Sequence, residues 1–306
     1  MTSNLLYFLF YNQTLLNSKI IPSQLSTIKK VVITAAGRGS RLFPLTKETP
    51  KEMIPIYVKS SKNAKPVLKP ILHVIFDSVY DTDIREFCFV VGRGKRSIED
   101  HFLISENEKQ ETRKNPEVKD YFTKLNNSQF TYVQQPYPKG FGDAVLKARS
   151  FVNNDSFLLH AGDDAILSKK NDHLQRLEKA FLKYDAEAAI LVKRIPDPRA
   201  YGVIEGIEIT KKIFKVTNFE EKPKKPKSNL ASIGIYLFKP LIFEILKKVK
   251  PDKNGEFQLA DALKKLIKSK LTTIAVELNE NEKRVDVGTP ESYVNCIRES
   301  YEFFNK

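Results

Sequence analysis

The chain has 306 residues, enough to bury a large core and to build one big α/β domain or two smaller ones. With 41% hydrophobic and 29% charged residues it has the composition of a folded globular protein, which excludes a disordered or fibrous chain. The formal net charge of +14 leaves two kinds of partner open, nucleic acid and a small anionic substrate.

In chain order, residues 1–28 read as a poorly specified N-terminal extension. Their apolar patch, Leu5 to Tyr11, is too short to cross a bilayer and lacks the basic start and cleavage site of a secretory signal. No later segment reaches membrane-span length, so the expectation is a cytoplasmic protein with no membrane partner. From Lys29 the pattern is regular. Apolar runs at Val31–Thr34, Phe87–Val91, Phe130–Gln134, Phe157–Ala161 and Ala188–Arg194 read as strands. Helical patterns over Leu72–Thr82, Ser97–Phe102, Gly142–Phe151 and Asp172–Tyr184 fall between them, with a charge-rich helical insertion up to about Asn127. This alternation predicts an α/β fold: a Rossmann-like, mostly parallel mixed sheet covered on both faces by helices. From Tyr201 the rhythm becomes β-rich, with a hairpin across Thr210–Lys212 and a strand over Ser232–Phe238. Helices around Leu241–Val249 and Leu259–Lys268, a strand over Thr272–Leu278 and a closing helix from Pro290 complete the chain. Residues 29–306 therefore read as one domain, with a first part to about 190 and a β-rich second part from about 191. Cys88 and Cys296 lack metal-type spacing and sit in apolar settings, as reduced, buried thiols do.

One stretch carries chemistry on its face: VVITAAGRGSRLFPLTKETPKE, Val31 to Glu52. A strand runs into a turn holding Gly37, Gly39, Arg38, Arg41, Lys47 and Lys51, cations that repel one another unless an anion lies among them. Open α/β sheets bind ligands at such strand-end loops, where glycines let backbone N–H groups approach phosphate. Neither standard fingerprint fits. The third glycine of GxGxxG would fall at Leu42, and GxxxxGK[ST] is absent here and at GRGKRS, Gly92–Ser97. On its own physics the loop from Gly37 to Arg41 reads as a phosphate loop or as an ordinary tight turn.

The loop resembles the signature of the sugar-1-phosphate nucleotidyltransferases, G-x-G-T/S-R followed by P-x-T and P-K. Further segments resemble that family in its own order: GRGKRSIEDHF (92–102), QPYPKGFGDA (135–144), HAGDD (160–164), YGVIE (201–205), FEEKP (219–223), GEFQLADAL (255–263) and VDVGTPESY (285–293). The first and the sixth of these are similar to the UTP–glucose-1-phosphate uridylyltransferase branch in particular. The likeness runs from residue 29 to about 305.

That resemblance implies transfer of a uridylyl group from UTP to glucose 1-phosphate, giving UDP-glucose and pyrophosphate with the help of Mg²⁺. It implies that Arg41 and Lys51 are catalytic, neutralising the triphosphate. Backbone at Ala35, Ala36, Gly37 and Gly39, with Gln135 and Gly140, would hold the nucleotide. Gly202, Glu221 and Lys222 would hold the sugar phosphate, and Asp163 and Asp286 the metal. An amide such as Gln135 offers a donor and an acceptor to a pyrimidine edge. Asp163 has a neighbour, Asp164, that competes with it on spacing alone. Glu221 and Lys222 point to opposite faces of a strand and can share a site only if the chain turns there, which Pro223 favours. Glucose 1-phosphate and UTP are thus the expected partners of a homo-oligomer, dimer or tetramer, with no nucleic acid.

Three departures stand out. Ser40 replaces the commoner threonine, the link near residues 58–66 is longer than usual, and Asp143 stands where bacterial uridylyltransferases often carry histidine. The nearest alternative is the same chemistry with dTTP or another hexose 1-phosphate, because uracil and thymine differ by a single methyl. A binding protein for nucleic acid or sugar nucleotides, without turnover, is the remoter one.

Overall fold

The computed structural model describes residues 28–59, 65–104 and 116–305. Apart from Ile28, the expected extension lies outside the described residues, as do residues 60–64 of the longer link and 105–115 of the charge-rich stretch.

Strand β1 (Lys30–Ala35) enters a loop of three 3-10 turns, and β2 (Pro55–Val58) pairs antiparallel with β3 (Val67–Pro70). Helix α1 (Ile71–Tyr80) leads to β4 (Glu86–Val91), and α2 (Arg96–His101) and α3 (Pro116–Asn126) lead to β5 (Gln129–Gln134). Helices α4 (Phe141–Lys147) and α5 (Arg149–Val152) precede β6 (Phe157–Ala161), after which come β7 (Asp164–Leu167), α6 (His173–Lys183) and β8 (Ala188–Arg194). The second part runs β9 (Gly202–Thr210), β10 (Ile213–Glu221), β11 (Leu230–Phe238), α7 (Leu241–Leu246) and α8 (Leu259–Lys268). It ends with β12 (Thr273–Glu277), β13 (Lys283–Asp286) and α9 (Pro290–Asn305), whose first residue is the proline that suits a helix start.

Among the described residues, nine strands form one mixed sheet in the order β5-β4-β1-β6-β11-β8-β12-β10-β9. Pairing is parallel from β5 to β6, and β11 then runs antiparallel to both β6 and β8. Strand β9 returns to pair with β11, Leu230 opposite Ile204, so β11, β8, β12, β10 and β9 close on themselves.

The alternation of side chains along a strand makes two cores from one sheet. Val31, Ile33, Phe87, Phe89 and Leu158 face one cluster, while Val32, Cys88, Val90, Phe157 and Leu159 face the other. Both faces are therefore apolar, as helix-covered parallel strands require. The cysteines are buried and reduced, as their settings suggested.

Two differences from the sequence reading have physical causes. The helix expected over Gly142–Phe151 is two short helices, parted where Ala148 leaves helical geometry at φ −80°, ψ 0°. The pairs β2–β3 and β7–β13, four residues per strand, are too short to show a period. Among the described residues no helix is long and apolar enough to cross a membrane.

Because β1, β4, β5 and β6 are parallel, their C-terminal ends open at one edge. There the Gly162 N–H donates to the Thr34 carbonyl at 2.9 Å and the Gln135 N–H to the Val91 carbonyl at 2.8 Å. Three segments of interest, the loop after β1, the turn after β5 and the turn after β6, are thus set side by side.

Candidate active site

A cleft of about 580 Å³ opens at this edge, lined among others by Ala36, Gly37, Lys51, Gln135, Gly140 and Asp163. Those six are residues that the sequence singled out. Ala35 is buried at the end of β1, and Gly39, Arg41, Asp286, Gly202, Glu221 and Lys222 lie outside the lining.

On the floor, Lys51 closes a salt bridge with Asp163. Lys51 reaches it by crossing Gly37, on which a Cβ would lie 3.5 Å from the Lys51 Cε. Burial opposes the charge on Asp163, but Lys51 outweighs it and holds the carboxyl below the usual carboxylate range. Burial likewise pulls Lys51 down, and Asp163 with Glu52 more than restores its ammonium. Beneath them Glu52, 1% exposed, receives the Lys95 ammonium at 2.6 Å. The GRGKRS segment thus serves as a support under the Lys51 loop, since Lys95 belongs to it. The loop is braced above by Thr46 Oγ1 and the Leu42 N–H, both donating to the Gly39 carbonyl at 2.8 Å.

The opposite wall is the turn from Gln135 to Phe141. Gly140 has φ +98° and lies so close to the 255–258 segment that a Cβ would sit 2.7 Å from the Phe257 carbonyl oxygen. Only glycine accommodates both demands. Two hydrogen bonds of 2.8 Å join the segments, Phe257 N–H to the Lys139 carbonyl and Gly142 N–H to the Phe257 carbonyl. The amide nitrogen of Gln135 donates to Asp143 Oδ2 at 2.7 Å and to the Gly140 carbonyl at 3.2 Å.

Beside the floor, β7 pairs with β13 so that Asp164 and Asp286 stand opposite each other. Arg284 joins them, its Nη2 2.7 Å from Asp164 Oδ2 and its Nη1 3.0 Å from Asp286 Oδ2. Burial pushes the Asp164 carboxyl up to about 7, with Arg284 pulling against it. Asp163 is held to the same strand pair by its carbonyl, which accepts the Val287 N–H at 3.2 Å. Arg41 meets this turn from the loop side: a Cβ on Gly288 would lie 3.4 Å from Arg41 Nη2 and 3.3 Å from Asp286 Oδ1.

Arg284 also donates to the Tyr201 hydroxyl at 3.2 Å, which leads to the start of β9. There Gly202 pairs with Glu221, and a Cβ on Gly202 would strike the Phe219 ring at 2.4 Å and approach Glu221 Oε2 at 3.1 Å. Strand β10 ends at Glu221, and Lys222 turns the chain with φ +45°. The Lys222 ammonium comes within 3.7 Å of Glu221 Oε1, so the turn required for both to face one site is present.

Asp163 and Asp286 are each about a quarter exposed and offer only oxygen donors. Among the described residues no group of three or more His, Cys, Asp or Glu forms a metal cage. Two carboxylates completed by phosphate oxygens and water suit Mg²⁺, which seldom takes an all-protein cage.

A model of the nucleotidyl transferase family matches residues 30–302. The chain belongs to this family. It is 37% identical over 270 residues to a protein of Methanocaldococcus jannaschii named putative UTP–glucose-1-phosphate uridylyltransferase, covering 85% of this chain and 89% of that one. It is 33% identical to the UTP–glucose-1-phosphate uridylyltransferase of Pseudomonas aeruginosa, covering 91% and 98%. Among solved structures it is similar to an apo UDP-glucose pyrophosphorylase, with a TM-score of 0.81, 32% identity and coverage of 90% and 98%. A UDP-glucose pyrophosphorylase complexed with UDP-glucose follows at a TM-score of 0.78 and 31% identity, covering 90% and 99%.

Within this nucleotidyl transferase, several residues that build the site escape sequence reasoning. Arg284, immediately before the VDVGTP segment, organises both strands of the β7–β13 pair. Glu52 and Lys95 lie inside quoted motifs, but their partnership spans 43 residues and only the fold reveals it.

Proposed function

We propose that this nucleotidyl transferase moves a uridylyl group from UTP to glucose 1-phosphate. A phosphate oxygen of the sugar phosphate attacks the α-phosphorus in line, and the bond to pyrophosphate breaks as UDP-glucose forms. The observation that carries the reading is the cleft itself. It brings the Lys51–Asp163 pair, the backbone of Gly37 and the Gln135–Gly140 wall to the C-terminal edge of the parallel strands.

Two polyanions have to meet there. Repulsion between two unit charges at 4 Å is about 4 kcal/mol at an effective dielectric of 20, and several such pairs add up. In this reading Arg41 and Lys51 neutralise the triphosphate and stabilise charge gathering on the leaving pyrophosphate. The backbone of Ala35, Ala36, Gly37 and Gly39 lies along the nucleotide, with Gln135 and Gly140 at the base. At the other end Glu221 accepts sugar hydroxyls, Lys222 meets the sugar phosphate, and backbone at Gly202 lies against the ring. Asp163 and Asp286 would hold Mg²⁺, which supplies Lewis-acid neutralisation of the α-phosphate. Lys51 would then be released from Asp163 to the phosphates.

The same reading includes a cytoplasmic homo-oligomer, dimer or tetramer. Leu68 on β3 and Val294 and Tyr301 on α9 are large apolar side chains left exposed on neighbouring elements, which supports association. Light scattering on the purified protein measures it.

The deciding experiment is pyrophosphate release with glucose 1-phosphate, Mg²⁺ and each of UTP, dTTP, CTP, ATP and GTP. The expected outcome is release chiefly with UTP. Preference for dTTP keeps the chemistry and changes the nucleotide, and no release with any of them overturns the reading.

A further inference from the structure

Gln135 is 4% exposed, and its amide is already engaged inside the protein. Its nitrogen donates to the Gly140 carbonyl and, over the shorter distance of 2.7 Å, to Asp143 Oδ2. Both partners are acceptors, so the end of the amide facing them must be the NH₂. Turned the other way, the amide would set its oxygen against two other oxygens in a buried wall. Both N–H groups are thereby spent. What Gln135 has left is Oε1, an acceptor with no hydrogen-bond partner among the described residues, in a side chain that lines the cleft.

This arrangement engages the donor half of the amide within the protein and leaves the acceptor half for the cleft. Asp143 is placed to impose it. It sits in the first turn of α4, and the backbone there is pinned by the Gly142 N–H to the Phe257 carbonyl. Its carboxylate makes the stronger, charge-assisted bond of the two that hold the amide.

We propose that Asp143 is a positioning residue that sets base specificity: it locks Gln135 so that only an acceptor faces the nucleotide. Such a group takes the N3–H of uracil or thymine and opposes cytosine, whose N3 is itself a bare acceptor. This inference rests on the reading of the cleft as a site for a nucleoside triphosphate. It adds a residue to that site which touches neither base nor phosphate.

The test compares the intact protein with Asp143→Ala and Asp143→Asn. Binding of UTP and of CTP is measured by titration calorimetry with Mg²⁺ and without sugar phosphate. Pyrophosphate release with each nucleotide is then measured in the presence of glucose 1-phosphate. The unaltered protein prefers UTP over CTP by at least about a hundredfold, as expected when a buried polar group is left facing its own kind. In Asp143→Ala the amide loses the stronger of its two holds and keeps only the longer bond to the Gly140 carbonyl, and the preference falls by at least about tenfold, in KM rather than in kcat. In Asp143→Asn the side-chain oxygen still accepts from Gln135 and the preference is rescued to within about threefold. Circular dichroism separates loss of fold from loss of preference, and the Asn variant carries the test if Asp143→Ala does not fold.

An unchanged preference in Asp143→Ala overturns the inference. So does an Asn variant that fails as the Ala variant does, or an unaltered protein that takes UTP and CTP alike. Absence of binding by any nucleotide instead overturns the reading of the cleft, so the two failures are told apart.

Discussion

Lys51 and Asp163, 112 residues apart in the chain, form a salt bridge on the floor of the cleft. Their charges cancel before any substrate is present, so the apo site is less cationic than the run of Arg38, Arg41, Lys47 and Lys51 after β1 suggests. Phosphate and a divalent cation would together divide that pair, the anion taking Lys51 and the cation Asp163. Asp163→Ala and Asp286→Ala should each lower kcat by at least about a hundredfold, the scale of losing a key electrostatic group. Steady-state rates at saturating UTP, glucose 1-phosphate and Mg²⁺, with circular dichroism to verify the fold, measure the effect. Near-normal Mg²⁺-dependent rates in both variants would rule out the metal assignment.

The Glu52–Lys95 pair is more deeply buried, at 1% and 7% exposure. Removing one member strands a buried charge, a loss of about 3–5 kcal/mol in comparable cases, whereas removing both is far milder. Glu52→Gln or Lys95→Met alone should therefore lower the urea midpoint markedly, and the double variant should recover much of it. Losses that simply add would show that the two side chains act independently.

Gly140 and Gly202 are both places where a methyl group has nowhere to go. Gly140, at φ +98° and ψ 170°, sits in a region essentially reserved for glycine, so Gly140→Ala adds backbone strain of about 1–3 kcal/mol to a collision with the Phe257 carbonyl. It should raise KM for UTP by about tenfold or more, through displacement of the base-side wall. Gly202→Ala, which drives into the Phe219 ring, should chiefly raise KM for glucose 1-phosphate. Initial-rate measurements varying each substrate in turn separate the two, and a Gly140→Ala enzyme with normal KM for UTP contradicts the placement of the base.

Three buried histidines predict how the protein responds to acid. Burial lowers His73 and His173 to about 3 and His160 to about 4, all far below the ordinary histidine value. The unfolded chain takes up these protons near pH 6.5, while the native state refuses them. Stability is therefore fully present above pH 6.5 and is lost as pH falls toward 3, at about 1.4 kcal/mol per pH unit for each histidine. Urea unfolding at pH 7, 6 and 5 tests this, and a midpoint that holds steady or rises across that range contradicts it.

The sheet and its helices were legible because long apolar runs carry a period, as in Val31–Thr34 or Ala188–Arg194. The helix pair α4–α5 shows the limit. Its apolar pattern runs through Ala148, where the backbone breaks, so periodicity joins what geometry divides. Site residues on loops after strands, such as Lys51, Gln135 and Asp163, could be singled out because their motifs are local. Arg284 could not, and Asp143 only as a departure from the family pattern, since the work of both is done on partners fixed by the tertiary structure. The side chain of Asp143 matters through Gln135, eight positions away, and only once the turn at Gly140 has brought the two together.

The contact of Gly140 and Gly142 with Phe257 has a further consequence. Phe257 leads directly into α8, and α8 lies against β10, the strand that ends at Glu221. One continuous run of chain thus touches the wall assigned to the base and supports the strand assigned to the sugar. The two substrates would therefore not rest in separate compartments. They would share a common backing.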